Sequence, residues 1–260
     1  MKMNKKIIAI YLWIGLLILG TMPLFAANPG VELNISAAAS LKDALLDIQK
    51  NYGLKQPNIK INLNFGSSGA LQTQIEQGAP ADLFISAAVK QMDALEKENL
   101  IVKKTRRDIL FNKLTLIVPK DSVLNLKDFK DLSREDVKKI GVGAPESVPA
   151  GQYAQQVFKN LNIGDTLQGK LVLGTDVRAV LTYVETGNVD AGIVYRTDAL
   201  ISDKIKIVAT APAGSHDPIV YPAAILTHAA QPKVATKFLA YLISPAGKAV
   251  FEKYGFGINK

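Results

Sequence analysis

With 260 residues and 48% apolar content, the chain can bury one large core or two ordinary ones, which excludes a disordered polypeptide. It contains no cysteine, so a disulfide framework, a thiolate metal site and a thiol nucleophile are all excluded. Of the formal +8 charge, Lys2, Lys5 and Lys6 carry three, leaving +5 on the rest. The densest basic run, Lys103-Lys104-Thr105-Arg106-Arg107, has neither interleaved aromatics nor a recognised motif beside it. It reads as a solvated face, and no nucleic-acid partner is expected.

Residues 1–26 have the three parts of a secretory signal: the leading lysines, an apolar run from Ile7 to Leu19, and Gly20, Pro23 and Ala26-Ala27 at a small-residue cleavage site. Cleavage is expected near Ala26. An uncleaved anchor is the alternative, because Ile7 to Ala27 reaches the roughly 20 residues a membrane span needs. With no cysteine to accept a lipid, the exported chain is expected to be free in the periplasm.

The elements then follow in order. Glu32 to Ala37 alternates as a strand, and Ser40 opens an amphipathic helix through Ile48. Ile59 to Phe65 is a second strand. It runs into Gly66-Ser67-Ser68-Gly69 and a helix carrying Leu71 and Ile75, after which Leu83 to Ser86 reads as a strand and Val89 to Asn99 as a helix. Ile109 to Val118 is the most strand-like run in the chain, long enough to cross between lobes. Phe129 to Val137 reads as helical and Lys139 to Gly143 as a buried strand. Ala144 to Gly151 is a loop that ends at the helix Gln152 to Leu161. Lys170 to Leu173 is a strand, Asp176 caps Arg178 to Thr186, and Val189 to Tyr195 is a further strand with Tyr195 at its carboxyl end. Ile205 to Thr210 and Ile219 to Leu226 are strands, and two helices, Lys233 to Ile243 and Pro245 to Tyr254, close the chain.

Alternation of strand and helix predicts α/β architecture with largely parallel sheets. Ligands in such sheets sit beyond the carboxyl ends of strands, where helices begin. Ser40, Ser68, Ala150, Val177 and Tyr195 all occupy positions of that kind. Taken singly, Ser40 and Ser68 read as helix caps worth about 1 kcal/mol each, and Tyr195 as a half-buried aromatic. Together they predict a site of uncharged donors at helix N-termini, suited to an acceptor-only oxyanion. Hydrogen phosphate would need an acceptor carboxylate, so Asp176 is expected to be occupied as a cap and Glu146 to face water. Arg178 is expected in a structural ion pair, with Glu185, Asp176 or Asp190 nearby.

Catalytic readings fare poorly. His216 and His228 lie in turn-like or Pro-rich surroundings, the serine pair is not a G-x-S-x-G elbow, and neither a P-loop nor a metal-spaced His pair is present.

The segments SAAASLKDAL (36–45), FGSSGALQTQI (65–75), GAPADLFISA (78–87), VGAPESVPAGQYA (142–154), DVRAVLTYVETGNVDAGIVY (176–195) and the terminal YGF resemble the periplasmic molybdate-binding proteins of ABC transporters. The resemblance implies a two-lobed periplasmic-binding-protein fold, with lobe 1 formed by residues 27–112 and 222–260 and lobe 2 by residues 113–221. It implies a molybdate or tungstate ligand between the lobes, no other cofactor, no catalysis, and delivery by a monomer to a membrane permease. The molybdenum would be held as its oxyanion, with no direct metal ligand, by hydroxyls of Ser40, Ser68 and Tyr195 and by backbone N–H groups of Ala150 and Val177. A protein for sulfate or another tetrahedral oxyanion, or an exported hydrolase, is the alternative. Two departures from the family pattern stand out. Gly69-Ala70 follows the serine pair where a further Ser or Thr is common, and Arg196 follows Tyr195 where a small residue is common.

Overall fold

The structure, a computed structural model, describes residues 30–258; the expected signal segment lies outside them. Residues from Val31 onward form one compact unit containing two sheets. In the first half, β1 (Val31–Ala38) passes through one 3-10 turn, Ala39–Leu41, into α1 (Lys42–Lys55). Next, β2 (Ile59–Gly66) runs into α2 (Ser68–Glu76), and β3 (Leu83–Ile85) into α3 (Val89–Lys97). The chain then enters β4 (Arg107–Phe111) and β5 (Leu114–Pro119).

In the second half, β6 (Ile140–Gly143) precedes α4 (Pro149–Asn160) and the short α5 (Gly164–Leu167); β7 (Leu171–Gly174) precedes α6 (Val177–Glu185). A third unit, β8 (Ala191–Tyr195) with α7 (Arg196–Leu200), leads to β9 (Ile205–Thr210). The return strand is β10 (Val220–Ile225), followed by α8 (Pro232–Leu242), α9 (Pro245–Lys253) and β11 (Gly257–Ile258).

The first sheet has the order β11-β4-β10-β3-β1-β2 and the second β7-β6-β8-β5-β9. Each is mixed, where the strand-helix alternation suggested largely parallel sheets. Parallel pairing joins β2-β1-β3 and β7-β6-β8, the strands connected through helices. The antiparallel part comes from the two connections between lobes. The outgoing β4 and β5 pair antiparallel with the returning β10 and β9, so two oppositely directed strands run through both sheets.

The apolar run from Ile109 to Val118 is therefore two strands. The polar pair Asn112-Lys113, which interrupts its apolar residues, marks the break where the chain changes sheets. On the way back, β10 starts at Val220, which pairs with Phe111 of β4.

Burial follows from this arrangement. β3, β6 and β8 are buried along their whole length, as strands covered on both faces must be. α6 buries Val177, Val180, Leu181 and Val184 against β8 and β6, and each such side chain contributes about 1.5–3 kcal/mol. Phe129 to Val137 forms only the 3-10 segment Phe129–Ser133, capped by the Asp128 carboxylate. Two apolar anchors there, Phe129 and Leu132, do not supply the three to four per two turns that hold an α-helix. The helices α5 and α7 and the strand β11 are too short to show a period in sequence.

Candidate functional site

Helix beginnings from both lobes converge on one small cavity of about 10 Å³. Lobe 1 lines it with Ala38, Ala39 and Ser40 at the end of β1, Gly66, Ser67 and Ser68 at the end of β2, and Ala87 beyond β3. Lobe 2 contributes Val148, Pro149 and Ala150 at the start of α4, Asp176 and Val177 at the start of α6, and Tyr195 at the end of β8. Ser40, Ser68, Ala150, Val177 and Tyr195, expected from four separate segments and more, are thus brought together. The volume leaves room for little more than a single water, so the cavity as it stands excludes large guests.

The two serines are not caps. Ser67 caps α2 by accepting from Ala70 N–H, leaving its neighbour free for other work. Ser68 Oγ instead accepts from Ala87 N–H at 2.9 Å, so its own proton remains to be donated. Ser40 sits within the 3-10 turn, which has no side-chain cap; its Oγ lies 2.9 Å from Tyr221 Oη. Asn112 Nδ2 donates to Tyr221 Oη at 3.1 Å and to Thr197 Oγ1 at 2.9 Å. Asn112 occupies one acceptor position on Tyr221 Oη, and the arrangement in which Tyr221 donates to Ser40 is the one that leaves the Ser40 proton for the cavity. Tyr195 Oη is buried without a hydrogen-bond partner. Burial pushes both tyrosine hydroxyls well above the ordinary tyrosine range, so both stay protonated and able to donate.

Backbone donors complete the set. Pro149 occupies the first turn of α4, where its missing N–H costs nothing, and Ala150 N–H follows among the first-turn donors without an intrahelical acceptor. This helix start reaches the cavity because Gly151 packs on Gly143: a Cβ on Gly151 would stand 1.9 Å from the Gly143 carbonyl oxygen. At α6, Asp176 Oδ1 accepts from Arg178 and Ala179 N–H, the expected cap. Val177 N–H, one residue earlier, lies ahead of the first intrahelical bond. Glu146 is exposed, as expected.

No lysine or arginine is among the residues lining the cavity. Arg178 is close by but engaged elsewhere, and its partners differ from the acidic residues nearby in sequence. Its guanidinium bridges Asp43 at 2.6 Å and Asp198 at 2.5 Å, the latter contact lacking hydrogen-bond alignment. Asp190 instead accepts from Lys138 and Lys139 N–H. Burial pushes the fully buried Asp198 carboxyl up to about 6, with Arg178 pulling it down. Burial opposes the Arg178 charge too, but Asp198 and Asp43 outweigh it.

The lobes also touch directly. Gly69 N–H donates to Ser147 carbonyl oxygen at 2.9 Å, so the position where the family pattern has a hydroxyl here makes a backbone bond across the cleft. Gln91 and Gln152 approach to 3.5 Å. Arg196 is not at this cleft: it lines a separate cavity with Phe111, Asn112, Lys113 and Phe256, beside the lobe connections. His216 packs on Tyr153, and neither histidine lines the cavity. The functional residues that sequence reasoning missed are Tyr221 and Asn112.

The sequence model described as bacterial extracellular solute-binding protein matches residues 33–257. The chain belongs to that family. Among curated relatives of this solute-binding protein, a putative ABC transporter substrate-binding lipoprotein, YvgL, of Bacillus subtilis is 50% identical over 87% of this chain and 86% of its own length. The molybdate-binding protein ModA of Haemophilus influenzae is 41% identical over 93% of this chain and 95% of its own. Among solved structures, the substrate-binding domain of a putative molybdenum ABC transporter from Clostridium difficile superposes with a TM-score of 0.69 at 47% identity, covering 88% of this chain and 100% of that one. The periplasmic molybdate-binding protein of Azotobacter vinelandii, at 24% identity, gives 0.79 and supports the two-lobed fold.

Proposed function

We propose that this solute-binding protein captures molybdate, and tungstate besides, in the cavity between its lobes and hands it to the membrane permease of an ABC transporter. The observation that carries the reading is the polarity of the cavity. The residues lining it offer three hydroxyls and two helix-start N–H groups, and no lysine or arginine. A guest there must accept throughout and donate nowhere, which describes a fully ionised tetrahedral dianion. Hydrogen bonds to a charged group contribute about 1.5–3 kcal/mol each. Five of them give about 8–15 kcal/mol gross, against the roughly 8–12 kcal/mol of micromolar to nanomolar binding.

The roles follow from the local geometry. Ser40, Ser68 and Tyr195 donate hydroxyls; Ala150 and Val177 donate backbone N–H groups, reinforced by the positive ends of α4 and α6. Asp176 Oδ1 is committed to its cap, which leaves Oδ2 as the carboxylate oxygen of the lining open to the proton of hydrogen phosphate, and the phosphate arm of the titration below tests whether it is used. Molybdate and tungstate are the whole of the bound species; no further cofactor and no catalytic step are needed. Residues 1–26 act as an export signal cleaved near Ala26, and the mature protein works in the periplasm as a monomer. The names of the relatives support molybdate as the ligand and an ABC transporter as the partner.

Calorimetric titration with molybdate, tungstate, sulfate and phosphate tests it. Tight binding of the first two with sulfate and phosphate at least tenfold weaker is the expected result. Preference for sulfate would move the protein to another oxyanion, and the absence of binding by all four would end the reading.

A further inference from the structure

Arg178 joins three of the five donor segments without lining the cavity itself. It follows Val177 directly in α6. Its guanidinium reaches back to Asp198, three residues beyond Tyr195 on the same lobe, and across the cleft to Asp43, three residues beyond Ser40 on the other. The guanidinium also lies 3.5 Å from the Ser40 carbonyl oxygen. The two anchors differ in exposure. The Asp198 side chain is fully buried, whereas that of Asp43 is 38% exposed and that of Arg178 21%. The buried carboxylate fixes the arginine to lobe 2, and the half-exposed one is the contact that lobe opening would break and solvate.

We propose that Arg178 is a clasp: held in lobe 2 by Asp198, it pairs with Asp43 of lobe 1 and keeps a closed population of the ligand-free protein, in which Ser40, Val177 and Tyr195 are already in register. This positioning role deepens the anion-binding reading and rests on it for its purpose, but the clasp itself is a property of the empty protein. The structure favours it physically. Asp43 stands in the first turn of α1, where the helix dipole stabilises a carboxylate. Breaking the pair leaves Arg178 still matched to Asp198, so no isolated charge is buried. A closed form that is partly populated before binding raises apparent affinity in proportion to its fraction. The Gly69–Ser147 and Gln91–Gln152 contacts share the closure, so loss of the clasp shifts the balance between the two states without abolishing the closed one.

Because the chain has no cysteine, Lys50→Cys in α1 and Lys159→Cys in α4, both exposed positions, give two unique sites for spin labels, one per lobe. Pulsed electron resonance on the full-length mature protein without any anion then reports the distance between lobes. The wild type is expected to show a short-distance population matching this structure beside a longer one. Asp43→Asn should lower the short-to-long ratio about fivefold, the scale of a partly exposed ion pair, with the unfolding temperature unchanged, and Asp43→Glu should recover most of it. A wild type showing only the long distance, or an Asp43→Asn distribution identical to the wild type, overturns the clasp. Molybdate is added afterwards: a wild type that does not shift toward the short distance counts against the anion reading and leaves the comparison of empty proteins standing.

Discussion

Removing the Tyr221 hydroxyl tests the donor relay without touching the cavity wall. Tyr221 is absent from the lining, and its ring is fully buried, packed edge-on against Tyr195 and Phe256 with centroids 5.9 and 5.5 Å away. Tyr221→Phe keeps that packing and deletes two hydrogen bonds, to Ser40 at 2.9 Å and from Asn112 at 3.1 Å. Asn112 retains Thr197, so no amide is stranded. Ser40 loses the donor that orients its own proton. A neutral hydrogen bond is worth about 0.5–1.5 kcal/mol net, so the dissociation constant for molybdate should rise roughly 2- to 12-fold. Ser40→Ala deletes a bond to the charged guest, about 1.5–3 kcal/mol, and should raise it roughly 12- to 150-fold. The relay predicts non-additivity: once Ser40 is alanine, Tyr221→Phe should add almost nothing. Isothermal titration of the two single variants and the double variant gives the coupling energy. Strict additivity, or a Tyr221→Phe protein with wild-type affinity, would refute the relay.

Other outcomes follow from the same geometry. Gly69→Ala puts a Cβ 2.6 Å from the Ser147 carbonyl oxygen, so it should wedge the cleft. At the about 1–3 kcal/mol of overpacking, affinity should fall roughly fivefold or more with little change in the ligand-free unfolding temperature; unchanged affinity in calorimetry would show that the lobes close without this approach. Asp198 gives a pH signature. Its native carboxyl, near 6, lies above the unfolded value, so the native state holds the additional proton. The stability this supplies is complete below about pH 4, is lost as pH rises through about 6, and stays lost above; two units correspond to about 3 kcal/mol. In urea unfolding, wild type minus Asp198→Asn should decline across that window, and parallel curves would contradict the assignment. Molybdate at about 1,000 times its dissociation constant should stabilise the protein by about 4 kcal/mol in a thermal melt, and a melt unmoved at millimolar molybdate would count against binding.

How far sequence carried the argument depends on the range of each interaction. The five positions that the structure gathers around the cavity were legible because each is set locally, by a strand ending and a helix starting within a few residues, as at Gly66 to Gly69 and Gly174 to Val177. The Asp176 cap was legible for the same reason, since its acceptors of choice are two and three residues ahead. Local reading could not say which of two adjacent serines caps. That depended on Ala87 N–H arriving from β3 to occupy Ser68. Nor could it find Tyr221, which meets Ser40 only because β10 inserts between β3 and β4 in the first sheet. Arg178 failed in the same way: acidic residues nearby in sequence were the natural candidates, yet Asp43 lies on the other lobe and Asp198 on the next helix. The antiparallel share of each sheet escaped because Ile109 to Val118 reads as one strand when its strand-forming residues are weighed together, although Asn112-Lys113 interrupts them.

The central claim is that uncharged hydroxyls and peptide N–H groups at converging helix starts suffice to hold a doubly charged guest. Crystals of the molybdate complex, with anomalous data at the molybdenum edge, address it directly. The account predicts one molybdenum peak in the cavity between the lobes, its oxygens within hydrogen-bond distance of Ser40, Ser68 and Tyr195 hydroxyls and of Ala150 and Val177 N–H, and no lysine or arginine nitrogen in contact. A peak elsewhere, or Arg178 released from Asp43 and Asp198 to bind the anion, would contradict it.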